Sequence, residues 1–297
     1  MNPEIQPDVA SERRLIMPPD HIVRDLVRKA LAEDIGVGDL TTQIMANPND
    51  VAEGVIVARA PGVVAGLPVA AAVFEELDPG VCFSAEVDDG TRVEPGGRVA
   101  RISGPARAIL SGERVALNFL QQLSGVVTAA RAIVEQLKGT NARLLDTRKT
   151  VPGLRPLQRY AVRIGGGTNH RYNLFDGVLI KENHILVAGG VTAALQRARA
   201  SVGPFTPVEI EVETLEQLRE AIEAGADMVL LDNMSLDEMR QAVEIAAGRL
   251  RLEASGDITV ETAREIAETG VDFLSSGAIT HSAPALNLSL RLSLRRR

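Results

Sequence analysis

The sequence predicts an α/β protein in which an α+β segment precedes a series of βα units. From Val51 to about Ile109, short strands are separated by Asp-Gly and Pro-Gly turns, as is typical of β structure. Beyond Gly139, short apolar strands alternate with amphipathic helical patterns, and repeated βα units produce a parallel sheet. Several such units in series favour an α/β barrel, and a doubly wound open sheet is the structural alternative.

The composition is globular and restricts the kinds of partner that the protein can bind. Its 297 residues are 45% hydrophobic and 24% charged, which excludes a disordered chain and allows a sizeable core. With 3% aromatic residues and a formal net charge of −7, a nucleic-acid partner is not expected. No run of about 20 apolar residues could span a membrane and no apolar signal core is present, so we predict a cytoplasmic protein without a membrane partner.

Local patterns predict the elements of the first half. Helical spacing extends from Ile22 to about Leu31, and a second helical pattern, "PVAAAVFEEL", lies between the strands. A long amphipathic helix begins at Ser111, with Gly139 placed as its C-terminal cap. The single cysteine, Cys82, can form no internal disulfide, and we expect it to be a buried, inert thiol.

The second half contains six apolar strands whose carboxyl ends carry polar residues. The strands are "ARLLDTRK", "GVLIKENH", "VEIEVE", "ADMVLLDN", "RLRLEASG" and "VDFLSSGA". Helical patterns such as "LEQLREAIEAG" and "LDEMRQAVEIAAG" separate them. Along the chain the strand ends change from basic, through acidic, to small and hydroxyl-bearing. Because the active site of an α/β barrel lies at this end of the strands, we expect these residues to form the site.

The third strand, "VEIEVE", carries three carboxylates on one face. Glu209, Glu211 and Glu213 alternate with apolar residues, so they point to the same side. A parallel strand is normally covered on both faces, and buried carboxylates then need cations, a metal or sugar hydroxyls as partners. An edge strand with a solvated acidic face is the alternative. Asp232 favours a shared acidic site, because it ends the next strand and can converge on Glu211.

Basic residues are concentrated between residues 142 and 184, a segment that contains eight arginines and lysines but only three acidic residues. In an acidic protein this local excess predicts a small polyanionic ligand, because arginine binds carboxylates and phosphates in a bidentate manner. Three of the basic residues follow apolar strands (Arg148, Lys149 and Lys181). Three others lie in a helical pattern that fits a solvated basic face (Arg155, Arg159 and Arg163).

Glycine-containing turns occur at three places near the predicted site. Ser255-Gly256 and Ser276-Gly277 follow the last two strands and precede helical patterns, where backbone N–H groups favour phosphate. The triplet Gly165–Gly167 has a different interpretation. We read it as a tight bend that delivers His170 and Arg171 to the site rather than as a phosphate cradle.

These motifs resemble the quinolinate phosphoribosyltransferase family, in the family's order, from about residue 23 to 290. The segments that carry the resemblance are "EDIGVGDLTT", "ERVALNFLQQLSGVVT", "LDTRKTVPGLRPLQRYAVRIGGGTNHRYNLFDGVLIKENHI", "VEIEVETLEQ", "VLLDNMS", "EASGDIT" and "SSGAITHSAPALNLSL". The resemblance implies an N-terminal α+β sandwich domain (residues 1–115) followed by an open α/β barrel of parallel strands (116–280). A C-terminal segment (281–297) would pack back on the first domain, and two chains would form a homodimer.

The resemblance also implies a reaction. Quinolinate and phosphoribosyl pyrophosphate would give nicotinate mononucleotide, pyrophosphate and CO2 in de novo NAD biosynthesis. The cofactor would be Mg2+, bound mainly with the pyrophosphate of the substrate, and no organic cofactor would be needed. Lys149, Glu211 and Asp232 would be catalytic. Glu211 and Asp232 would also hold the metal, directly or through water.

The substrate-binding residues implied by the resemblance fall into groups. Those for the quinolinate carboxylates are Arg148, Lys149, His170, Arg171 and Lys181, with Thr147 in the same site. Arg114 would reach into the site of the partner subunit, and Glu211 and Asp232 would face the ribose and pyrophosphate. The residues for the ribosyl 5′-phosphate are Ser255, Gly256, Asp257, Ser276, Gly277 and Ala278. Asp257 stands where the family commonly has a small residue, so we expect its side chain to point away from the phosphate.

Three other functions are compatible with the residues alone. The first is a paralogous phosphoribosyltransferase-like protein of the same fold. The second is a barrel aldolase or an indole-glycerol-phosphate-type synthase, which would use Lys181 as a catalytic amine. The third is a binding module without enzymatic activity. The intact segments "TRK", "NHR" and "IKENH" favour quinolinate.

Overall fold

The computed structural model describes residues 17–294, which divide into two compact units. Among the described residues, the first unit comprises 17–129, 151–165 and 283–294, and the second comprises 130–150 and 166–282. Within this part of the chain no helix has the length and apolar character needed to cross a membrane. Each unit has its own sheet.

The first unit is built on an antiparallel sheet. Its strands and a small ribbon are β1 (Val51–Ala58), β2 (Gly62–Val63), β3 (Cys82–Ala85), β4 (Arg92–Val93), β5 (Arg98–Pro105) and β12 (Leu288–Leu294). Four of them pair in the order β12-β1-β5-β3, and β2 pairs with β4. Because β3 lies at the edge of this sheet, Cys82 is exposed. The prediction of a buried thiol was therefore wrong.

Five helices occur in the same stretches of chain: α1 (Asp20–Ile35), α2 (Leu40–Met45), α3 (Leu67–Leu77), α4 (Ala106–Gln136) and α5 (Arg155–Ile164). The spacing of Val23, Val27 and Leu31 places all three on the buried side of α1. The carboxylate of Asp39 starts α2 by accepting a hydrogen bond from the N–H of Thr42 at 2.9 Å. In α5 Arg159 is buried, so the interpretation of this arginine as part of a solvated face was wrong.

The long helix α4 begins five residues before the predicted start at Ser111 and continues to Gln136. Gly112, which would weaken an isolated helix, is used for packing: a Cβ there would lie 2.8 Å from Leu77 and 3.0 Å from Phe74. The division between the two units falls within α4, after Ala129. Gly139 has a φ of +83° in the turn that follows the helix.

The second unit consists of alternating strands and helices. They are β6 (Arg143–Leu145), β7 (Val178–Ile180), α6 (Glu182–Ala188), α7 (Val191–Ser201), β8 (Val208–Val212), α8 (Leu215–Glu223), β9 (Met228–Asp232), α9 (Leu236–Ala246), β10 (Arg251–Ser255), α10 (Ala263–Ala267), β11 (Phe273–Ser275) and α11 (Ala278–His281). Every predicted apolar strand is present. Local signals start the helices: Thr214 caps α8, and Ser235 with Glu238 forms a capping box at α9.

The six strands of this unit form one parallel sheet in the order β6-β11-β10-β9-β8-β7. Strands β7 to β11 therefore add in chain order in one direction, and the first strand, β6, pairs with the last. A doubly wound sheet reverses its order at the first strand, so that alternative is excluded. The carboxyl ends of all six strands point the same way, which brings their polar residues to one end of the sheet.

Strand β8 lies between β7 and β9, so the alternative of an acidic edge strand is also excluded. Val208, Ile210 and Val212 are buried. Glu209 is buried as well, at 4% exposure, and Glu211 is half-buried. The carboxylates of β8 must therefore have partners inside the second unit.

Candidate active site

The carboxyl ends of the parallel strands surround a cavity of about 560 Å³ that belongs entirely to the second unit. Strands β7 to β11 contribute to it, together with the segment that follows β6 and the loop that follows Gly167. The residues that line it are Thr147, Arg148, Lys149, His170, Arg171, Leu179, Lys181, Glu211, Leu230, Asp232, Asn233, Glu253, Ser255 and Ser275. Nine of them belong to the set that the sequence predicted.

The remaining predicted residues do not line this cavity. Arg114 is exposed on α4, in the first unit. The other five occupy the turns after β10 and β11: Gly256, Asp257, Ser276, Gly277 and Ala278. Asp257 is exposed and has a φ of +43°.

The two turns differ in how they are built. At Gly256 φ is +112° and an added Cβ would overlap the side chain of Asn233, so glycine is required there. The turn after β11 leads directly into α11, as predicted. The turn after β10 does not, because α10 begins only at Ala263 and the intervening residues form turns through Thr259 and Thr262. The buried Ser276 donates its N–H to Leu145 and its hydroxyl to Ile258, which makes it part of the turn itself.

Lys149 is held at its backbone by two threonines. The hydroxyl oxygen of Thr147 accepts a hydrogen bond from the N–H of Lys149 at 3.0 Å. The hydroxyl of Thr280 donates to the carbonyl oxygen of Lys149 at 2.7 Å. A Cβ on Gly277 would lie 2.8 Å from Cδ of Lys149, so the absence of a side chain there leaves room for the lysine stem. The turn after β11 thus supports Lys149 while its ammonium group stays exposed.

Arg171 lies in a positively charged environment. Its burial and the positive charge of Arg148 lower the pKa of Arg171, whereas the charges of Glu209 and Asp176 raise it, and the lowering effects prevail. Nη1 of Arg171 donates to the carbonyl oxygen of Gly177 at 2.9 Å. Two guanidinium groups close enough to repel each other form a site that an anion would stabilise.

Acidic residues occupy the neighbouring part of the cavity. Glu211 forms an ion pair with Lys181. The carboxylate of Asp232 accepts a hydrogen bond from the side-chain amide of Asn233 at 2.9 Å, and the backbone N–H of Asn233 donates to Ser255 at 3.0 Å. Glu211 and Asp232 therefore line one cavity, as the sequence predicted, and their oxygens are ligands of the type that Mg2+ prefers.

His170 is bound on both sides of its ring. Nε2 lies 3.0 Å from a carboxylate oxygen of Glu209 and 3.3 Å from one of Glu253. Burial lowers the pKa of His170, but the hydrogen bonds and charges of the two glutamates raise it by more, to about 10. On the other side, Nδ1 accepts the backbone N–H of Arg171 at 2.7 Å, and a second ring proton there would abolish this bond. The N–H of Arg171 therefore opposes the second proton that the glutamates favour, and the contact at Nδ1 is that of a ring with its proton on Nε2.

The loop that carries His170 is attached to β6. Asp146, which is fully buried, accepts hydrogen bonds from the N–H of His170 at 2.8 Å and from the side-chain amide of Asn169 at 2.5 Å. Thr168 forms a parallel bridge with Leu145. The preceding bend has φ of +94° at Gly166, and the glycine triplet is not among the residues that line the cavity. This arrangement fits the interpretation of the glycines as a bend.

Glu253 is the polar lining residue that the sequence motifs did not indicate, whereas Asn233 and Ser275 were predicted only as polar strand ends, without a role. The alternation of strand residues contains a signal for Glu253. It stands two positions before Ser255, on the same face, just as Glu209 stands two positions before Glu211. A charged residue in the interior of a parallel strand is itself unusual, because such strands are covered on both faces.

Comparison with known proteins identifies the family. Residues 39–124 match the N-terminal domain of quinolinate phosphoribosyl transferase, and residues 126–291 match its C-terminal domain. The chain belongs to the quinolinate phosphoribosyltransferase family. The two matched domains follow one another in the order that the sequence motifs predict.

Relatives in this family match almost the whole chain. A probable nicotinate-nucleotide pyrophosphorylase [carboxylating] of Bacillus subtilis is 42% identical over 272 residues, which cover 92% of this chain and 94% of that protein. The corresponding protein of Mycobacterium leprae is 42% identical and covers 91% of this chain and 96% of its own length. The structure of the nicotinate-nucleotide pyrophosphorylase from Francisella tularensis has a TM-score of 0.90 at 43% identity, with 94% of this chain and 99% of that chain covered.

Proposed function

We propose that the protein is a decarboxylating quinolinate phosphoribosyltransferase of de novo NAD biosynthesis. It converts quinolinate and phosphoribosyl pyrophosphate to nicotinate mononucleotide, pyrophosphate and CO2. The observation that supports this most strongly is the cavity at the strand ends, in which Arg148, Lys149, Arg171 and Lys181 lie together with Glu211 and Asp232. In a member of this family, that combination provides cations for an aromatic dicarboxylate and carboxylates for a sugar cation.

The basic residues bring two anions together. Quinolinate carries two carboxylates and its co-substrate carries several phosphate charges, so the pair would repel strongly without cations between them. Arg148 and Arg171 offer guanidinium groups that bind carboxylates in a bidentate manner. Lys149 and Lys181 add positive charge in the same cavity. Thr147 and Thr280 hold the backbone of Lys149 by hydrogen bonds. His170 lies among these residues, with its Nε2 against the carboxylates of Glu209 and Glu253 and its Nδ1 accepting the N–H of Arg171.

The acidic residues act on the sugar. The ring nitrogen of quinolinate forms a bond to the anomeric carbon while the bond from that carbon to pyrophosphate breaks, with the electron pair leaving on pyrophosphate. Positive charge develops on the ribose, and the carboxylates of Glu211 and Asp232 stabilise it. When the adjacent carboxylate then leaves as CO2, its electron pair stays on the ring carbon, where the positive charge of the alkylated ring nitrogen stabilises it. A proton replaces the CO2 on the ring carbon.

Magnesium is the proposed cofactor, and no organic cofactor is proposed. When bound with the pyrophosphate, Mg2+ neutralises its charge and makes it a better leaving group. Glu211 and Asp232 are the residues that would hold it, directly or through water, because their oxygens suit a hard divalent cation. The turns that contain Ser255, Gly256 and Asp257 and Ser276, Gly277 and Ala278 are proposed for the ribosyl 5′-phosphate, through backbone N–H groups other than that of Ser276, which donates to Leu145.

A homodimer that shares its active sites is also proposed. Arg114 is exposed on α4, which leaves it free to enter the site of a partner subunit. Apolar side chains on and before α2 in the same unit are exposed as well: Val37, Leu40, Ile44 and Met45. Clusters of exposed apolar residues mark interaction surfaces. Location in the cytoplasm, and the absence of nucleic-acid and membrane partners, remain predictions from the sequence.

The decisive experiment mixes the purified protein with quinolinate, phosphoribosyl pyrophosphate and Mg2+. We expect stoichiometric nicotinate mononucleotide and CO2, and no product when either substrate is left out. Absence of product at micromolar enzyme would contradict the proposal. Borohydride trapping with carbonyl substrates addresses the aldolase alternative, since covalent capture at Lys181 would favour that reaction instead.

Mixed dimers test the shared site. Arg114→Ala and Lys149→Ala subunits are each expected to be inactive alone. After random mixing, about half of the dimers are heterodimers, and one of the two sites in each heterodimer contains both intact residues. Activity should therefore return to about a quarter of the wild-type value. Mixtures that stay inactive, although heterodimers are detected by mass spectrometry, would contradict donation of Arg114 across an interface.

A further inference from the structure

Both nitrogens of the His170 ring are occupied inside the second unit. Nε2 is 3.0 Å from Glu209 and 3.3 Å from Glu253, and Nδ1 accepts the N–H of Arg171 at 2.7 Å. A ring bound in this way has no nitrogen left for a substrate carboxylate. Although His170 lines the cavity, its contacts point towards a role in holding its neighbours.

Glu253 is a buried carboxylate in the interior of strand β10. Its side chain is 1% exposed, and its carboxylate oxygens have no hydrogen-bond partner of good geometry among residues 17–294; its neighbours are Nε2 of His170 at 3.3 Å and the carboxyl group of Glu209. Burying a carboxylate without full hydrogen bonding is unfavourable, and a leucine of similar volume would fill the strand position better. The contact of this carboxylate with Nε2 of His170 therefore accounts for an acidic residue at this position.

We propose that Glu253, together with Glu209, positions His170, and that His170 in turn positions Arg171 for the substrate carboxylate. The proposal rests on the proposed function for the identity of the anion. The two glutamates lie on β10 and β8, with β9 between them, and both reach the same ring nitrogen. They hold the proton on Nε2, so that Nδ1 remains an acceptor for the backbone of Arg171.

The physical basis is control of the ring orientation. An imidazole can turn by 180°, which would exchange Nδ1 for a C–H group and break the bond to the N–H of Arg171. Carboxylates that bind the far nitrogen of a histidine fix both its tautomer and its orientation, as they do for histidines in catalytic triads and metal sites. Asp146 adds to this by binding the N–H of His170 at 2.8 Å, and Gly177 accepts from the guanidinium group of Arg171.

His170, Glu209 and Glu253 have the composition of a small metal site, since their ligand atoms lie within 4.8 Å of one another. The hydrogen-bond geometry favours the positioning role, because Nε2 must lose its proton to bind a cation. Metal analysis separates the two. Stoichiometric metal in the purified protein that is absent from Glu253→Gln would overturn the proposal, and metal-free active protein supports it.

The first test measures steady-state kinetics of Glu253→Gln, with Asp272→Asn as the control. Asp272 is also an acidic residue that contacts β10, through the N–H of Leu252, but it lies at the opposite end of the strand. We expect the quinolinate KM of Glu253→Gln to rise by about tenfold, because the amide holds the ring less well. The KM for phosphoribosyl pyrophosphate should stay the same, and the control should change neither. Equal effects on both substrates, or on kcat alone, would overturn the proposal.

The second test places the substitution in an Arg171→Ala background. If Glu253 and His170 act through Arg171, then adding Glu253→Gln or His170→Ala to Arg171→Ala should not raise the quinolinate KM further. Effects that multiply would show that His170 contacts the substrate independently, and the proposal would fail.

The third test uses variants of His170, so it can be carried out even if the Glu253 variants do not fold. His170→Asn keeps an acceptor close to the position of Nδ1, and His170→Ala does not. We expect His170→Asn to retain most of the quinolinate affinity and His170→Ala to lose about tenfold. Equal losses would overturn the positioning role. Calorimetric binding of quinolinate makes the same comparison without turnover. If the wild type made no product, the proposed reaction would be refuted, but the binding measurement would still test the positioning role.

Discussion

The two ends of the parallel sheet both carry charged residues around a cavity, yet they are built differently. At the amino end a cavity of about 520 Å³ is lined by residues that include Asp227, Arg249, Arg251 and Asp272. The two aspartates are paired, with Arg199 and Arg251 respectively. Each also accepts a backbone N–H, from Val208 at 2.8 Å and from Leu252 at 2.9 Å. Charge at this end joins one strand or helix to the next.

At the carboxyl end like charges are brought together, although Lys181 is paired with Glu211. Four basic residues share a cavity, and the charge of Arg148 helps to lower the pKa of Arg171. Buried carboxylates at this end bind a histidine that holds a loop rather than a neighbouring strand. Paired charges tied to the backbone thus stabilise the fold, whereas like charges brought together in the segments at the strand ends create a site for an anion.

Removal of Lys149 should break the carboxyl-end site with the largest effect. We expect Lys149→Ala to lower kcat/KM by about a thousandfold or more, because a preorganised positive charge at the reacting groups is lost. Its side chain is exposed, so the free energy of unfolding should change by less than about 0.5 kcal/mol. Kinetics and urea denaturation measure the two quantities. Loss of stability in parallel with activity would assign Lys149 a structural role.

A substitution in the glycine bend tests delivery of the loop to the same site. Gly166→Val places a β-branched residue at φ of +94°, with its Cβ about 3.3 Å from Val134. We expect destabilisation of about 1–3 kcal/mol from this backbone strain. Quinolinate affinity should fall, with binding of phosphoribosyl pyrophosphate largely kept. Calorimetry with each substrate measures the difference, and an equal loss for both would refute the interpretation of the triplet as a bend.

At the amino end the opposite result is expected. Asp272→Asn weakens the ion pair with Arg251 and the bond to Leu252, so stability should fall by about 1 kcal/mol. Activity at saturating substrate should be unchanged, because the residue is remote from the strand ends that form the cavity. A thermal melt and a turnover assay on the same preparation test this. A fall in turnover would show that the two ends are coupled.

The smallest effect concerns pH at the same end. Burial raises the pKa of Asp227, but its bonds to Arg199 and to the N–H of Val208 lower it by more, to below the ordinary value of 3.8. The folded protein therefore holds this carboxylate ionised to lower pH than the unfolded chain does. Its stabilising contribution is present above about pH 4 and is lost as the pH falls through the lowered pKa. The difference in stability between wild type and Asp227→Asn should shrink from pH 7 to pH 3, and a constant difference would contradict the pairing.

Much of the site could be predicted from sequence because strand ends are local features. Lys149, Lys181 and Asp232 end or follow apolar runs and Glu211 lies near the end of its strand, and parallel strands bring such positions to the same end of the sheet. Glu253 could not be assigned in this way. Its role depends on β10 and β8 lying on either side of β9, and on a loop from another part of the chain that brings His170 between them.

The sequence by itself determined the alternation of strands and helices, the position of the charged strand ends and the family, because these depend on local periodicity and on motifs. The tertiary structure alone decided that β3 is an edge strand and leaves Cys82 exposed, and that Gly112 of α4 packs against Phe74 and Leu77 of α3. It also decided which carboxylates pair with His170. Burial and hydrogen-bond partners arise from residues far apart in the chain, and no local pattern records which of them will meet.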